Sequence, residues 1–431
     1  MLEVIKKIYR LPLAPVSEGA DRAVAILCRE LPFKVHKFPS GAEYNGWIVP
    51  KKWKPVKAEI FKGSKKIYDG MAHPLGVIGY STSFVGQISL PELKKHLFYH
   101  PDLPRALVYH CDYYYKTWKR DWGMSVSYNF FKKLKPGRYQ VNLQTVFEEG
   151  SMKVLDYFLP GRSKETIILN AHDCHAGQAN DGPSGIAVGI ELMRELKKLK
   201  NRRYSYRLII APEHLGTVFY LAKIPAKERR TFKYAIFLEM LGNKKRFALQ
   251  ESFSGQSLLD RAAHHYLKHH FPNYHGAPFR KIVGNDEIVW EAPGYEIPCI
   301  SLSKAFHKEY HSDWDDERIV TEKGLREAAE AVKGIIKILE TNGALRRKFN
   351  GLMALSNPKY DLYIPAGDPS IRQKISKQQN KMSHLMHHLM RYFDGRTEIL
   401  DIAEKYDIDY ETLYRYLERF KEKKLVEFIR K

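Results

Sequence analysis

The chain has 431 residues, 44% of them hydrophobic, and 71 Lys and Arg against 49 Asp and Glu give a formal net charge of +22. That length suits two to three domains with a large core, and the composition is that of a soluble globular protein. No apolar run approaches the roughly 20 residues that a membrane-spanning helix needs.

The excess basic residues are scattered in pairs such as Lys51-Lys52, Lys94-Lys95, Lys197-Lys198, Lys244-Lys245 and Lys423-Lys424. Solvated faces explain this spread, and it argues against nucleic acid as a partner. The opening residues, MLEVIKKIYRLPLAP, lack the long apolar region of a signal peptide. Cys28, Cys111, Cys174 and Cys299 lie far apart and form no CxxC pair. Both features point to reduced thiols and a cytoplasmic location.

In chain order, Met1 to Arg29 has apolar residues at helical spacing around Ala23, Ile26 and Leu27. From about Phe38 to Asn129 short β-like runs take over, at Gly46–Val49, Ala58–Phe61, Val77–Tyr80 and Ala106–Tyr109, separated by Gly, Pro and Lys-rich turns. An aromatic group there, Tyr113-Tyr114-Tyr115 with Trp118 and Trp122, is expected to pack this module's own core rather than line a binding surface. Tyr139–Leu143 and Val154–Phe158 read as a hairpin that feeds the next strand.

The central stretch is Glu165 to Lys200. A buried strand, Thr166–Leu169, ends in the metal-competent run Asn170-Ala171-His172-Asp173-Cys174-His175. A Gly-, Gln- and Asn-rich loop leads to Asn180-Asp181 and a helix over Ile186–Leu199, with Pro183 suited to its first turn. Polar residues at a strand's C-terminal end before a helix are how open α/β sheets build sites. A catalytic zinc site needs neutral imidazole and ionised carboxylate on rigid supports, and His172 and Asp181 meet that description. Gly182, Ser184 and Gly185 would let backbone come close to a metal. The alternative is that His172 and Asp181 only pair with each other or cap the helix.

Strands and helices then alternate. Tyr206–Ile210 is a strand that ends before Pro212-Glu213-His214-Leu215-Gly216-Thr217, and Tyr234–Leu238 is a strand that ends at Glu239. Leu258–His270 is a helix, Ile297–Leu302 a strand, and Glu322–Leu339 a helix with Thr321 as its N-cap. The expected fold class is therefore α/β, a mainly parallel sheet with helices on both faces. A linker containing SNPKY and IPAGDPS follows. Helix patterns over Met382–Phe393, Ile399–Tyr406 and Tyr410–Lys421, then LVEFIRK, outline a winged helix-turn-helix. The expected division is an α/β domain at 1–38 and 130–345, a β-rich insert at 39–129, a linker at 346–377 and the winged helix at 378–431.

His172, Asp181, Glu213, Glu239 and His311 all fall at strand C-termini or in the loops after them, with Asn285-Asp286-Glu287 and Tyr310-His311-Ser312-Asp313 between. With Pro39-Ser40-Gly41, Trp47-Ile48-Val49-Pro50, Lys135-Pro136-Gly137 and Gly284-Asn285-Asp286-Glu287, these motifs make the chain resemble the aminopeptidase-like proteins of bacteria and archaea related to the di-zinc aminopeptidases. Members carry a β-rich insert and a C-terminal winged helix. The resemblance implies metal binding by His172, a bridging Asp181, Glu239 and His311. Asp286 and Tyr310 are candidates for substrate contact, with a helix cap and a core aromatic as the alternative readings. Relatives have two adjacent glutamates, a general base then a ligand, whereas this chain offers Glu213 alone. Relatives also have an aspartate where Cys174 stands. The expectation is Glu213 as base and one zinc ion held by His172, Asp181 and His311. Glu239 is then free for a weaker second metal or a substrate amine. His175 and His214 are expected to be structural.

The implied activity is zinc-dependent hydrolysis of an amide bond next to a free amine, in a peptide or an amide-containing small molecule. Two alternatives stay open: an amidohydrolase on an amino-sugar or modified amino acid in surface-polysaccharide metabolism, and a ligand-sensing regulator whose winged helix binds DNA. The would-be recognition helix mixes Glu411 and Glu418 with Arg415 and Arg419. Phosphate repels carboxylates, so this tail is expected to pack on protein, within the chain or across a homo-oligomer.

Overall fold

The computed structural model describes residues 1–304, 307–365 and 376–429. Contacts divide the chain into two units, Met1–Gly255 with His275–Glu330, and Gln256–Tyr274 with Ala331–Lys431.

The first unit is built on an eight-stranded sheet. In chain order its strands are β1 (Lys34–Pro39), β2 (Ser151–Leu159), β3 (Thr166–His172), β4 (Ser205–Ala211), β5 (Phe232–Leu238), β6 (Ala248–Gln250), β7 (His275–Ala277) and β8 (Cys299–Ser303). They lie in the order β1-β2-β4-β3-β5-β8-β6-β7. The central run β4-β3-β5-β8 is parallel throughout, and antiparallel β2 and β6 flank it. Every residue of β3, β4 and β8 is buried. A strand covered on both faces has no solvent side to alternate with, which explains the apolar runs Ile167–Leu169 and Leu208–Ala211, while Arg207 is buried against Asp156.

Parallel register puts His172 opposite Ala211 and Leu238 opposite Leu302, so the C-terminal ends of the central strands share one edge. Helix α1 (Pro183–Lys198) leaves the β3 loop with Pro183 in its first turn. It packs so tightly that a Cβ on Gly185 would lie 1.9 Å from the Leu238 carbonyl oxygen. Gly185 thus lets helix backbone approach β5 rather than a metal. Ser184 replaces a side-chain cap: its hydroxyl donates to the Asn180 carbonyl and accepts the Leu241 N–H at 2.8 Å. Helix α2 (Leu215–Lys223) follows β4 in the same way.

The β-rich region forms a four-stranded antiparallel sheet of Lys65–Asp69, Lys52–Lys62, Arg138–Glu148 and Phe84–Ser89, in that spatial order. Arg138–Glu148 therefore belongs to this sheet and makes no hairpin with β2. Its burial alternates, as in a strand with one solvent face, whereas β2 is buried along most of its length. Val77 and Val108 make only isolated bridges, to Met124 and Ser312, where strands were expected. Tyr113, Tyr114 and Trp122 do enter the module's core, while Trp118 is 69% exposed. The N-terminal helical segment is broken into Leu2–Ile8 and Glu18–Glu30, because Pro12 and Pro15 cannot donate the backbone hydrogen bonds a helix needs. Thr321 caps its helix as expected, accepting the Gly324 N–H at 3.0 Å.

The second unit contains the helix Leu258–His270 and three tail helices, Lys377–Leu389, Ile399–Tyr406 and Tyr410–Glu422. Ala344–Arg347 forms the middle of a three-stranded antiparallel sheet between Asp394–Glu398 and Val426–Ile429. The tail is clamped by charge. Arg261 pairs with Asp401 at 2.7 Å and with Glu404, Lys268 with Asp407 at 2.7 Å, and His270 with Asp409 at 2.9 Å. Most of the linker motif IPAGDPS, residues 366–370, and the last two residues of LVEFIRK lie outside the described residues. Among the described residues no helix is long and apolar enough to cross a membrane, and all four cysteines are free thiols.

Candidate metal centre

The site is built at the common edge of β3, β4, β5 and β8, from side chains that would be costly to bury without partners. His172 ends β3 and is buried. Its Nε2 lies 3.1 Å from Asp181 Oδ1. Asp181, 2% exposed, sits in the turn before α1. Its other oxygen, Oδ2, faces His311 Nε2 at 3.2 Å. Glu239 follows β5 and is buried, with Oε2 accepting a hydrogen bond from Asn285 Nδ2.

Among the described residues of the cluster, Glu239 Oε1 is buried with no hydrogen-bond partner, and Asp181 Oδ2 and His311 Nε2 meet only as an ion pair at 3.2 Å. Such orphans are rare in native interiors and call for an explanation such as an ion. His172, Asp181 and Glu239 each offer one ligand atom, all within 4.8 Å of one another. His175, Asp181 and His311 form a second such group, and His172, Cys174 and His175 a third. Imidazole with carboxylate is a donor set that suits zinc, so these residues fit the ion implied by the fold. Glu239 thus groups with His172 and Asp181, and His311 groups with His175.

The electrostatics of the cluster suit a cation. Burial pushes Glu213 up to about 8, and Asp286, Asp181 and Glu287 push the same way against His172. Burial also holds Glu239 well above the usual carboxylate range, and the Asp181 charge is the largest of those adding to it. For Asp181 burial is outweighed by the surrounding histidines, which hold its carboxyl well below that range. Burial opposes the charging of His172, but the Asp181 carboxylate wins and lifts it to about 9.

Glu213 follows β4 and its side chain is 11% exposed, with Oε2 3.5 Å from His175 Nε2. Its backbone N–H donates to Cys174 Sγ at 3.3 Å, so the cysteine ties the β3 and β4 loops together. Asp286 is fully buried. Its oxygens accept the His214 N–H and the Thr217 hydroxyl, both at 2.5 Å, at the start of α2. Tyr310 stacks on the His311 ring with centroids 3.8 Å apart. His214 turns its ring toward Trp47, at a centroid distance of 6.3 Å.

Residues not singled out from the sequence complete the frame. Asp315, fully buried, accepts the N–H groups of Ala179 at 3.2 Å and Asn180 at 2.7 Å on Oδ1, and of Asp181 at 3.1 Å on Oδ2. Tyr109 comes from the β-rich module and packs over both His175 and His311, at 4.4 and 5.0 Å. The Tyr109 N–H donates to the His311 carbonyl at 2.8 Å. His214, Met240 and His311 all have left-handed backbone, with φ of 54°, 50° and 55°. This conformation is uncommon outside glycine, and it concentrates at functional sites. Of the seven sequence candidates, His172, Asp181, Glu239 and His311 converge with Glu213 beside them. Tyr310 lies against His311, and Asp286 braces the turn after Glu213.

A family model described as Domain of unknown function (DUF4910) matches residues 2–342. A Clostridium acetobutylicum relative, named for polysaccharide biosynthesis with an aminopeptidase-like domain, is 26% identical over 413 residues, 94% of this chain and 91% of the relative. The crystal structure of a C. acetobutylicum protein described as a peptidase matches with a TM-score of 0.83 at 23% identity, over 99% of this chain and 96% of that one. BSAP, a zinc aminopeptidase from Bacillus subtilis, matches with a TM-score of 0.58 at 12% identity, over 78% of this chain and 94% of its own. The large, mainly parallel sheet with its helices is thus the zinc aminopeptidase-like fold.

Proposed function

The chain belongs to the family described as Domain of unknown function (DUF4910), and we propose that it is a zinc-dependent hydrolase of aminopeptidase type that cleaves an amide bond next to a free amine. One observation carries the reading: His172, Asp181 and Glu239 present ligand atoms within 4.8 Å of one another, beside the Asp181–His311 ion pair and the orphaned Glu239 Oε1. The zinc aminopeptidase-like fold supports it. Zinc, when bound, polarises the scissile carbonyl and brings the pKa of water toward neutrality.

The chain's own groups do the rest. Glu213, held at the β4 edge, takes the proton of the attacking water and returns it to the leaving amine. Asp286 is assigned to positioning, because both its oxygens brace the turn that carries Glu213. Tyr310 is the candidate for substrate contact.

Glu213→Gln tests the assignment, since Gln keeps the shape and loses the basic oxygen. The variant should keep its zinc and lose about 10²-fold or more in the rate of aminoacyl-amide hydrolysis, as a positioned base contributes about that much. Loss of zinc would make Glu213 a ligand, and unchanged turnover would remove it from the chemistry.

A second reading has an amino-sugar or modified amino acid as the amide substrate. It is favoured by the polysaccharide-biosynthesis name of the C. acetobutylicum relative. Parallel assays on N-acyl amino-sugars separate the two.

For the tail, the reading is a winged helix that packs on protein. It is supported by the ion pairs of Asp407 and Asp409 with Lys268 and His270. Tight, salt-sensitive binding of duplex DNA by the full chain would overturn it. The insert of the proposed domain division is best extended to include Arg138–Glu148, which pairs with its strands.

A further inference from the structure

Two of the metal-competent groups share Asp181: His172 with Asp181 and Glu239, and His175 with Asp181 and His311. The shared carboxylate points its oxygens in two directions, Oδ1 toward His172 Nε2 at 3.1 Å and Oδ2 toward His311 Nε2 at 3.2 Å. These contacts form a buried chain of ion pairs, His172–Asp181–His311. A carboxylate set between two imidazoles is equally a donor set for cations, one on each of its oxygens.

The residue after Glu213 cannot complete that second position as placed here. His214 has a left-handed backbone and its ring is stacked toward Trp47. His175 approaches from the neighbouring loop instead. It is buried, lies edge-on to His172 at 4.5 Å and close to His311 at 5.4 Å, and is covered by Tyr109. Its Nε2 is 3.5 Å from Glu213 Oε2, so an ion held there would also sit beside the proposed base.

We propose that His175 is a metal ligand, and that with Asp181 and His311 it holds a second ion next to the one held by His172, Asp181 and Glu239. The loop after β3 thus supplies the ligand that the residue after Glu213, His214, does not. Asp181 bridges the two positions, an arrangement that clamps both ends of a displacement reaction. This rests on reading the site as a metal centre, and the test separates the two claims.

Full-length protein is stripped with chelator, reloaded with zinc, dialysed and measured by elemental analysis. Wild type should hold about two ions per chain. His175→Ala and His175→Gln should hold about one, and Glu239→Gln should lose the other. Circular dichroism confirms that each variant is folded, and His175→Asp, which puts a carboxylate donor in place of the imidazole, should retain part of the second ion. A His175→Gln protein that keeps the wild-type zinc content, whether one ion or two, overturns the assignment of His175 and leaves the hydrolase reading intact. Wild-type protein that retains no zinc overturns both.

Discussion

Asp315→Asn should weaken the fold and the metal site together. The carboxylate accepts three backbone N–H groups, of Ala179, Asn180 and Asp181, and lies 3.4 Å from His307 Nε2. Asparagine keeps one oxygen, which can still serve Ala179 and Asn180. Its amide then sets a donor against the Asp181 N–H. One charge-assisted bond is lost and a buried N–H is left unsatisfied, at a cost of about 2–3 kcal/mol. The first unit has on the order of 300 residues. At roughly 2 cal/mol/K of unfolding entropy per residue, that cost lowers its melting temperature by about 3–5 °C. The loop that loosens carries Asp181, so zinc affinity should fall about 10-fold or more, as for groups that orient ligands in other metal sites. Thermal unfolding of chelated protein gives the first quantity, and competition with a chromophoric chelator gives the second. A variant within about 1 °C of wild type, with unchanged zinc affinity, would refute the role given to Asp315.

The metal-free protein should lose stability as pH rises from 6.5 to 8. Burial holds Glu213 at about 8 and Asp173 at about 7, and the Asp181 carboxylate holds His172 at about 9 against its burial. All three are raised above their unfolded values, so the folded state binds more protons across this window and stability declines with pH. Glu213 alone contributes about 2 kcal/mol over the interval. Zinc replaces those protons, so the drop in melting temperature on chelation should be several degrees larger at pH 8 than at pH 6.5, and equal drops would contradict the sign. Gly185→Ala forces a Cβ to within 1.9 Å of the Leu238 carbonyl oxygen. Backbone on both sides must then move, at a cost of about 3 kcal/mol or more. Soluble yield should fall steeply, whereas Gly79→Ala, which meets nothing within 4 Å and needs no left-handed backbone, should express like wild type.

The parts of the site that were legible in the sequence are those written locally. His172 and Glu239 each close an apolar run, and a polar residue at the end of a doubly buried strand has few places to be except at the sheet edge. His175 was in view as part of the same metal-competent run, but nothing local says whether a histidine three residues past a strand turns inward. Its burial under Tyr109 depends on a module about 65 residues upstream. Asp315 left no local signature at all, because its acceptors serve N–H groups 134 to 136 residues away. The expected hairpin failed for a related reason. Glu149-Gly150 between two apolar runs looks like a hairpin turn, yet the partners of Arg138–Glu148 are Lys52–Lys62 and Phe84–Ser89, far upstream.

The long reach of Asp315 bears on how the protein is made. A chain still being synthesised reaches His172, Asp181, Glu213 and Glu239 well before His311 and Asp315 leave the ribosome. Until they do, the Asp181 turn has lost its three-armed brace and the cluster has lost a histidine. A cation meeting the unfinished chain finds a loose set of donors rather than a shaped cavity, and binding that requires a shaped site is folding free energy that the fragment cannot collect. On the proposed reading, capture of an ion would be a late event in biogenesis, and a chain cut short or stalled would not sequester metal.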